Sequence, residues 1–271
     1  FVFNHQRSLC IEEIRSGGNS MNILLSRILT YLNGTLFIDY RYKFCQFVVY
    51  HYLEFEDYTF EDVVKASGLT KEEILSFIAL LGFSTFEEFS QTLVQNHYVR
   101  LDQIRARMLD ANSEAIIAGM EKSGTDEEMQ AYVSTICEAI DQAERVVIIG
   151  ALYPLCLSVE FQTDLITFGK PIIQYHSFDR SISLTDKDVV IFISATGRSM
   201  NTFIQIRQEV GVDKATSILI TQNKTYLLPE YRISDYVLHV PGKFDGLNFN
   251  HQILTIFDLL RVHYYQQYYL G

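Results

Sequence analysis

A cluster of hydroxyl side chains follows one of the apolar runs in the second half of the sequence. Ser194, Thr196 and Ser199 surround Gly197 in this segment, which opens a helical stretch. Hydroxyls, a glycine turn and the free amides of a helix N-terminus together suit an anion, above all a phosphate. The alternative is a serine-rich turn that only caps the next helix. We favour the phosphate site, and Arg198 could add positive charge to it.

Two further apolar runs end in residues that could contact a ligand. Gly150 ends the first run, and the segment Gly150-Ala151-Leu152-Tyr153-Pro154 lacks the GxGxxG pattern of dinucleotide-binding loops. Asn223 follows a later run, where it either offers an amide to a sugar-like ligand or caps the next turn. We therefore predict no cofactor, and we add Gly150 and Asn223 to the candidate ligand site.

Side chains suited to acid–base or metal chemistry are scattered along the chain. The sequence has no HExxH motif and no cluster of His, Asp and Glu at ligand spacing, so no metal site is predicted. His239 alternates within an apolar run and is interpreted as a packed histidine whose hydrogen bonds are satisfied. The remaining acid–base candidates show no spacing typical of a catalytic pair; they are Glu160, Asp164, His176, His251 and Asp258. A structural or solvent-facing role is the simpler interpretation of each, so we predict that the protein is not an enzyme.

Length and composition describe a folded chain of one large or two modest domains. The sequence has 271 residues, of which 48% are hydrophobic and 20% charged, and its net charge is −11. No stretch of about 20 apolar residues occurs, which excludes a membrane-spanning helix from the sequence pattern. The four cysteines form no CxxC pair, which suits a reducing cytoplasm. The acidic balance gives no general attraction to nucleic acid.

The pattern of the chain changes near residue 123, from helical throughout to short apolar runs alternating with helices. The five runs begin at Val146, Pro171, Val189, Ser217 and Tyr236. Most are continuously apolar, as expected for a parallel sheet covered on both faces. We predict an N-terminal all-α domain and a C-terminal doubly wound α/β domain. The predicted divisions are an extension over 1–20, a helical domain over 21–100, a helical linker over 101–124 and the α/β domain over 125–271.

The helical half contains two short helices joined by a tight turn. Ser67-Gly68 ends the first helix, and Thr70 with Glu73 forms a capping box that opens the second. A further capping box is predicted from Ser84 to Glu87. This spacing fits a helix-turn-helix and equally an ordinary small helical bundle.

Both halves resemble the RpiR-type bacterial transcriptional regulators, which join a helix-turn-helix to a sugar isomerase (SIS) domain. The first matching segment runs from Phe60 through Ala66-Ser67-Gly68-Leu69-Thr70 to Leu81-Gly82-Phe83-Ser84-Thr85-Phe86. The second, Ile193-Ser194-Ala195-Thr196-Gly197-Arg198-Ser199, is similar to the family's phosphate loop. The resemblance implies that Ser194, Thr196 and Ser199 hold the phosphate of a phosphosugar. The sequence departs from the family in the loop after the first apolar run. The family has a G-x-G-x-S pattern there, whereas Leu152 and Pro154 replace the second glycine and the serine.

The resemblance also implies a DNA operator and a homodimer or higher oligomer as partners. The candidate DNA-contacting residues lie in and before the second short helix; they are Lys65, Thr70, Lys71, Glu72 and Ser76. Residues 21–100 carry six basic and ten acidic side chains, a balance of −4 that is unfavourable toward DNA. The C-terminal helix from Leu247 is expected to form part of a dimer interface through Ile253, Ile256, Phe257 and Leu260.

Three functions remain open on these observations. The leading hypothesis is a cytoplasmic, phosphosugar-responsive DNA-binding regulator. The second is a relative that senses a ligand or dimerises and contacts another protein instead of DNA. The third is a phosphosugar isomerase, which needs a positioned base that the sequence does not identify.

Overall fold

The chain begins with a helical half. A computed structural model describes residues 23–242 and 246–270, apart from the side chains of residues 152, 153, 246 and 247. The helices before the sheet are α1 (Leu24–Gly34), α2 (Tyr40–Tyr50), α3 (Phe60–Ser67), α4 (Lys71–Leu80), α5 (Phe86–Met108), α6 (Ser113–Gly119) and α7 (Asp126–Gln142). A 3₁₀ turn over Tyr52–Glu56 separates α2 from α3. The predicted extension over 1–20 lies outside the described residues.

Side-chain caps open the helices of this half. The capping box predicted at Thr70 is confirmed, since its hydroxyl accepts the amide of Glu73, three positions on. Thr125 opens α7 in the same way and accepts the amide of Glu128. The box predicted to start at Ser84 is wrong by one residue. Thr85 is the N-cap of α5 and accepts the amide of Glu88 at 3.1 Å.

Helix α5 is longer than the sequence interpretation allowed. It runs without a break from Phe86 to Met108, so the predicted division between residues 100 and 101 falls inside it. The helical linker predicted over 101–124 consists instead of the end of α5, a turn, the short helix α6 and the non-helical residues 120–124.

The second half is built around a parallel sheet. Its strands are β1 (Arg145–Gly150), β2 (Ile172–Gln174), β3 (Asp188–Ile193), β4 (Thr216–Thr221) and β5 (Tyr236–His239), in the order β2-β1-β3-β4-β5. Every neighbouring pair is parallel. The helices of this half are α8 (Leu152–Cys156), α9 (Val159–Thr167), α10 (Arg198–Ile206) and α11 (Gly246–Tyr264). The predicted fold class, helical and then α/β with a parallel sheet, is confirmed.

One hydrophobic core spans the helical half and the sheet. The residues of α11 that were expected at a dimer interface, Ile253, Ile256, Phe257 and Leu260, are at most 2% exposed in this core. That expectation is therefore wrong for these four side chains, because they pack within their own chain. Polar contacts reinforce the junction: the Tyr42 hydroxyl donates to Asp179 at 2.7 Å, and His176 Nε2 lies 2.9 Å from the Leu32 carbonyl.

Candidate functional site

The strand order reverses beside β1, which makes the carboxyl ends of β1 and β3 the topological switch point of the sheet. Open α/β sheets bind ligands in the crevice at such a point. Gly150 ends β1 and is paired in register with Ile193, which ends β3. A Cβ added to Gly150 would lie 3.3 Å from Ile193 Cβ, so the two strand ends are closely packed. The loops that follow these strands therefore start side by side.

The predicted phosphate loop lies at this point, between β3 and α10. The Ser194 amide bonds to the Ile220 carbonyl at 3.0 Å, which anchors the loop to β4. The Gly197 amide then donates to the Ser194 carbonyl at 3.0 Å and closes a turn. Gly197 is the N-cap of α10 with a φ of +74°, a conformation that glycine adopts at little cost. The first-turn amides of α10 have no acceptor within the helix and can bind an anion.

The three hydroxyls of the loop have different exposures. Ser194 is 7% exposed and lies at the base of the loop, whereas Ser199 is exposed in the first turn of α10. The Thr196 hydroxyl lies between them and accepts hydrogen bonds from the amide and Nε of Arg198, both at 3.4 Å. The Thr196 hydroxyl therefore holds both the backbone and the side chain of Arg198 beside the loop.

Asn223 joins the end of β4 to the same loop. Its side-chain nitrogen donates to the Thr196 carbonyl at 3.2 Å, and its side-chain oxygen accepts the Thr225 amide at 3.1 Å. Asn223 thus caps the next turn, as one of the two interpretations expected, and it also fixes the phosphate loop. Thr221 adds a second connection, because its hydroxyl donates to the Ala195 carbonyl at 2.9 Å.

Tyr226 covers Gly197, a contact that no sequence pattern predicts. A Cβ built on Gly197 would lie 2.6 Å from Tyr226 Cζ and closer still to Cε2, so the ring rests on the glycine backbone. Tyr226 is 8% exposed and belongs to a 3₁₀ turn, Lys224–Leu227, that follows Asn223. Gly197 is therefore required by its backbone conformation and also by the ring above it.

The structure brings all six candidate ligand residues to one edge of the sheet; they are Gly150, Ser194, Thr196, Gly197, Ser199 and Asn223. Their assignment to a phosphosugar stays a prediction. The departure at Pro154 has a local explanation: Pro154 lies in the first turn of α8, where a missing N–H breaks no helical hydrogen bond.

Two of the acid–base candidates, Asp164 and Glu160, belong to a network of ion pairs with arginines. Asp164 is fully buried, and Arg100 and Arg261 reach its two carboxylate oxygens at 2.5 and 2.6 Å. Glu160 binds the same Arg100 at 2.9 Å, and these arginines lower its pKa against the opposing effect of burial. The network connects α5 with α9 and α11, so it holds the two halves of the chain together.

Among the described residues, no side-chain hydrogen bond joins the other candidates to the phosphate loop. Asp258 pairs with Arg261 on the next turn of α11 at 2.8 Å. His176 is bonded to a backbone carbonyl and its pKa is lowered chiefly by burial. His251 lines a cavity of about 480 Å³ between α6 and α11. His239 is the last residue of β5 and contacts Ser123, and it lies on the same edge of the sheet as the phosphate loop.

The candidate DNA-contacting residues lie on α3 and α4 with little free positive charge. Lys71 forms an ion pair with Glu61 at 2.6 Å and stands over the Phe60 ring. The Thr70 hydroxyl caps α4, and the Ser76 hydroxyl lies 3.3 Å from that of Tyr40. Lys65 and Glu72 are exposed. These five residues share one region, and their role toward DNA stays a prediction.

Two negative findings concern the described part of the chain. Within residues 23–242 and 246–270, no three His, Cys, Asp or Glu side chains converge in a way that could hold a metal ion. In the same part, every helix is too short or too polar to cross a membrane.

Comparison with known proteins gives matches among solved structures alone. No family model matches the sequence, and no curated protein matches it. NanR of Vibrio vulnificus, solved in complex with ManNAc-6P, is 15% identical over 91% of this chain and 93% of its own, with a TM-score of 0.43. The sugar isomerase domain of an RpiR transcription factor from Sphaerobacter thermophilus is 15% identical over 61% of this chain and 89% of its own, with a TM-score of 0.41. A hypothetical protein of Methanococcus jannaschii, whose structure was interpreted as that of a 3-hexulose-6-phosphate isomerase, is 16% identical over 61% of this chain and 93% of its own, with a TM-score of 0.45. Identities and TM-scores this low leave the ligands and activities of those proteins as properties of those proteins alone.

Proposed function

We propose that this protein binds a phosphorylated sugar on the loop between β3 and α10. The observation that carries the proposal is the position of that loop. It places the Ser194, Thr196 and Ser199 hydroxyls and the amides of α10 at the switch point of a parallel sheet. Hydroxyls and helix N-terminal amides are the groups that bind phosphate without a metal. The resemblance to SIS domains supports a sugar as the group that carries the phosphate.

Removing hydroxyls from the loop tests the proposal. We expect Thr196→Val combined with Ser199→Ala to weaken binding of sugar phosphates at least tenfold in calorimetric titration, since each lost hydrogen bond to a charged group is worth about 1.5–3 kcal/mol. Thr135→Val is the matched control, because Thr135 is exposed on α7 and its hydroxyl donates to the Ala131 carbonyl of the same helix. Equal affinities of the double variant and the control would contradict the phosphate assignment.

We propose further that ligand binding regulates DNA binding through α3 and α4. The support is a pair of short capped helices, joined by Gly68, Leu69 and Thr70, that matches the helix-turn-helix pattern. Lys71 would have to leave Glu61 before it could contact a phosphate of DNA. Selection of genomic fragments on the purified protein at low and moderate salt tests this output, because binding through phosphate contacts weakens steeply with salt. Enrichment of one site is the expected result.

The exposed face of α4 favours a second possibility, that this helix contacts another protein instead of DNA. Glu72 is exposed there together with Leu75 and Leu80, which are 38% and 62% exposed. Apolar and acidic side chains on one face suit a protein partner better than DNA. If the folded protein binds sugar phosphate but enriches no DNA at low or moderate salt, the result would favour binding to another protein.

We propose a binding role for the site rather than catalysis. The acid–base candidates Glu160 and Asp164 are both bound by arginines at the junction of α5 and α9, so neither carboxylate is free to act as a base. Incubation with aldose and ketose phosphates in deuterated water tests this. Exchange of the proton next to the carbonyl, followed by NMR, would establish an isomerase instead.

A further inference from the structure

A groove lies between α1, the start of α2 and the end of α4, in the helical half of the chain. Its volume is about 590 Å³, and its apolar lining comes from α4 and the residue that follows it: Phe77, Leu80 and Leu81. Arg27 of α1 and Arg41 of α2 line it as well. All the residues that line the groove precede β1, whereas the phosphate loop follows β3.

The apolar part of this surface has a fixed base and exposed edges. Phe77 is buried in the core and forms the base, whereas Leu80 is exposed. The segment between α1 and α2 borders the groove, and its residues Leu36 and Phe37 are 81% and 60% exposed. Large apolar side chains exposed around a groove with a polar rim are typical of a protein-binding surface.

The two arginines give the groove a positive charge that the chain itself neutralises little. Arg27 donates from Nη2 to the Leu81 carbonyl at 2.7 Å, and within the described residues it forms no ion pair. Arg41 Nε lies 4.0 Å from the carboxylate of Asp39, and that carboxylate already accepts the Tyr31 hydroxyl at 3.0 Å. Among the described residues that line the groove, none is acidic, although the whole chain has a net charge of −11.

We propose that this groove binds a segment of another protein that carries both carboxylates and large apolar side chains. The apolar side chains pack on Phe77 and Leu80, and the carboxylates pair with Arg27 and Arg41, since a guanidinium can bind both oxygens of a carboxylate. Charge complementarity selects this partner, because two arginines without an acidic lining residue repel a basic segment. Duplex DNA would pair with the arginines but would bury the exposed apolar side chains against phosphates. The inference goes beyond the proposed function, since it depends on neither sugar phosphate nor DNA.

Selection of random peptides displayed on phage tests the groove on the whole chain. Wild type, Arg41→Glu and Lys43→Glu are each immobilised and selected in parallel. Lys43→Glu is the matched control, because Lys43 is exposed on the same helix, undergoes the same reversal of charge and does not line the groove. Arg41 contacts its neighbours Asp39 and Tyr40, so its replacement should retain the fold.

We expect wild type to enrich peptides that contain Asp or Glu together with large apolar residues. In fluorescence anisotropy, the best peptide should bind Arg41→Glu about tenfold more weakly than Lys43→Glu, because a repulsive contact replaces an attractive one. Leu80→Asp changes an exposed side chain and should weaken the same peptide similarly. Glucose 6-phosphate should bind wild type and these variants equally. Failure of wild type to bind any sugar phosphate would therefore contradict the proposed function and leave this inference standing.

Equal binding of the peptide by Arg41→Glu and Lys43→Glu would overturn the inference, as would enrichment of peptides without carboxylates or of no peptide. Two other occupants have their own signatures. A dimer in light scattering that Leu80→Asp dissociates would show that a second copy of the chain fills the groove. Binding of random-sequence duplex DNA that is lost in Arg41→Glu and kept in Lys43→Glu would assign the arginines to DNA. Either result would replace the protein segment as the occupant.

Discussion

Adding a methyl group at Gly197 should lower the stability of the protein for two separate reasons, the backbone conformation of Gly197 and its contact with Tyr226. Gly197→Ala adds a Cβ to a residue with a φ of +74° and places it 2.6 Å from Tyr226 Cζ, well inside van der Waals contact. Gly68 is the matched control, because its φ is +69° and nothing lies within 4 Å of an added Cβ. Gly68→Ala therefore measures the backbone cost alone, about 1–2 kcal/mol for a left-handed conformation. Gly197→Ala adds to it the cost of displacing a buried ring.

We expect Gly197→Ala to destabilise the protein by about 2–5 kcal/mol in total. The steric part is that of an overpacked site, about 1–3 kcal/mol, because the ring must move by more than an ångström within a packed environment. Truncating the ring removes the clash, so Gly197→Ala should cost less in a Tyr226→Ala background. The coupling energy of that double-mutant cycle should be about 1–3 kcal/mol.

Urea unfolding, followed by circular dichroism, measures the four proteins of the cycle and Gly68→Ala. Calorimetric titration with glucose 6-phosphate is the second readout, since displacement of Gly197 also displaces the first amides of α10. Equal destabilisation by Gly197→Ala and Gly68→Ala, within about 0.5 kcal/mol, would refute the reasoning. So would additivity of Gly197→Ala and Tyr226→Ala.

Two further predictions concern the interior of the chain. Asp164→Asn should lower the free energy of unfolding in urea by about 3–5 kcal/mol, because it leaves two arginines without their buried partner. Glu160→Gln changes a half-exposed carboxylate and should lower it by less than about 1 kcal/mol. Equal losses of stability in the two variants would contradict the buried network. Burial raises the pKa of the Cys45 and Cys137 thiols, whereas Cys156 is exposed. A thiol reagent followed by peptide mass spectrometry should modify Cys156 in the native protein and the other two only after unfolding; native modification of either buried thiol would contradict the packing.

The elements that depend on local pattern were predictable from the sequence. All five strands form at the expected runs, because continuously apolar segments such as Val189–Ile193 can be buried on both faces only in a covered parallel sheet. The capping boxes at Thr70 and Thr125 are likewise local, since each bond spans three residues. The unbroken helix α5 was also within reach of the sequence, because residues 86–108 contain neither glycine nor proline.

The contacts between distant segments were not predictable in the same way. Nothing near Gly197 indicates that the ring of Tyr226 covers it, and nothing near Ser123 indicates His239. Asp164 has an unremarkable spacing within α9, and its two arginine partners come from α5 and α11. One signal for His239 was available: it ends an apolar run, and the ends of parallel strands lie at the ligand edge of the sheet.

The shared core constrains how a ligand could alter the helical half. Helix α2 is attached to the segment between β2 and β3 by the buried bond between Tyr42 and Asp179, and α1 by the contact of His176 with the Leu32 carbonyl. A swing of α1 and α2 against their own sheet would break these bonds and leave buried polar groups without partners, at about 1–3 kcal/mol each. The ion pair between Arg100 on α5 and Asp164 would also have to break if α5 moved with them, which raises the free-energy cost further. A regulatory ligand is therefore expected to change the arrangement between copies of the chain, or the surface near the loop, rather than to move the helical half as a hinged head. Small-angle scattering with and without glucose 6-phosphate distinguishes the two, because a hinged head would change the dimensions of a single chain.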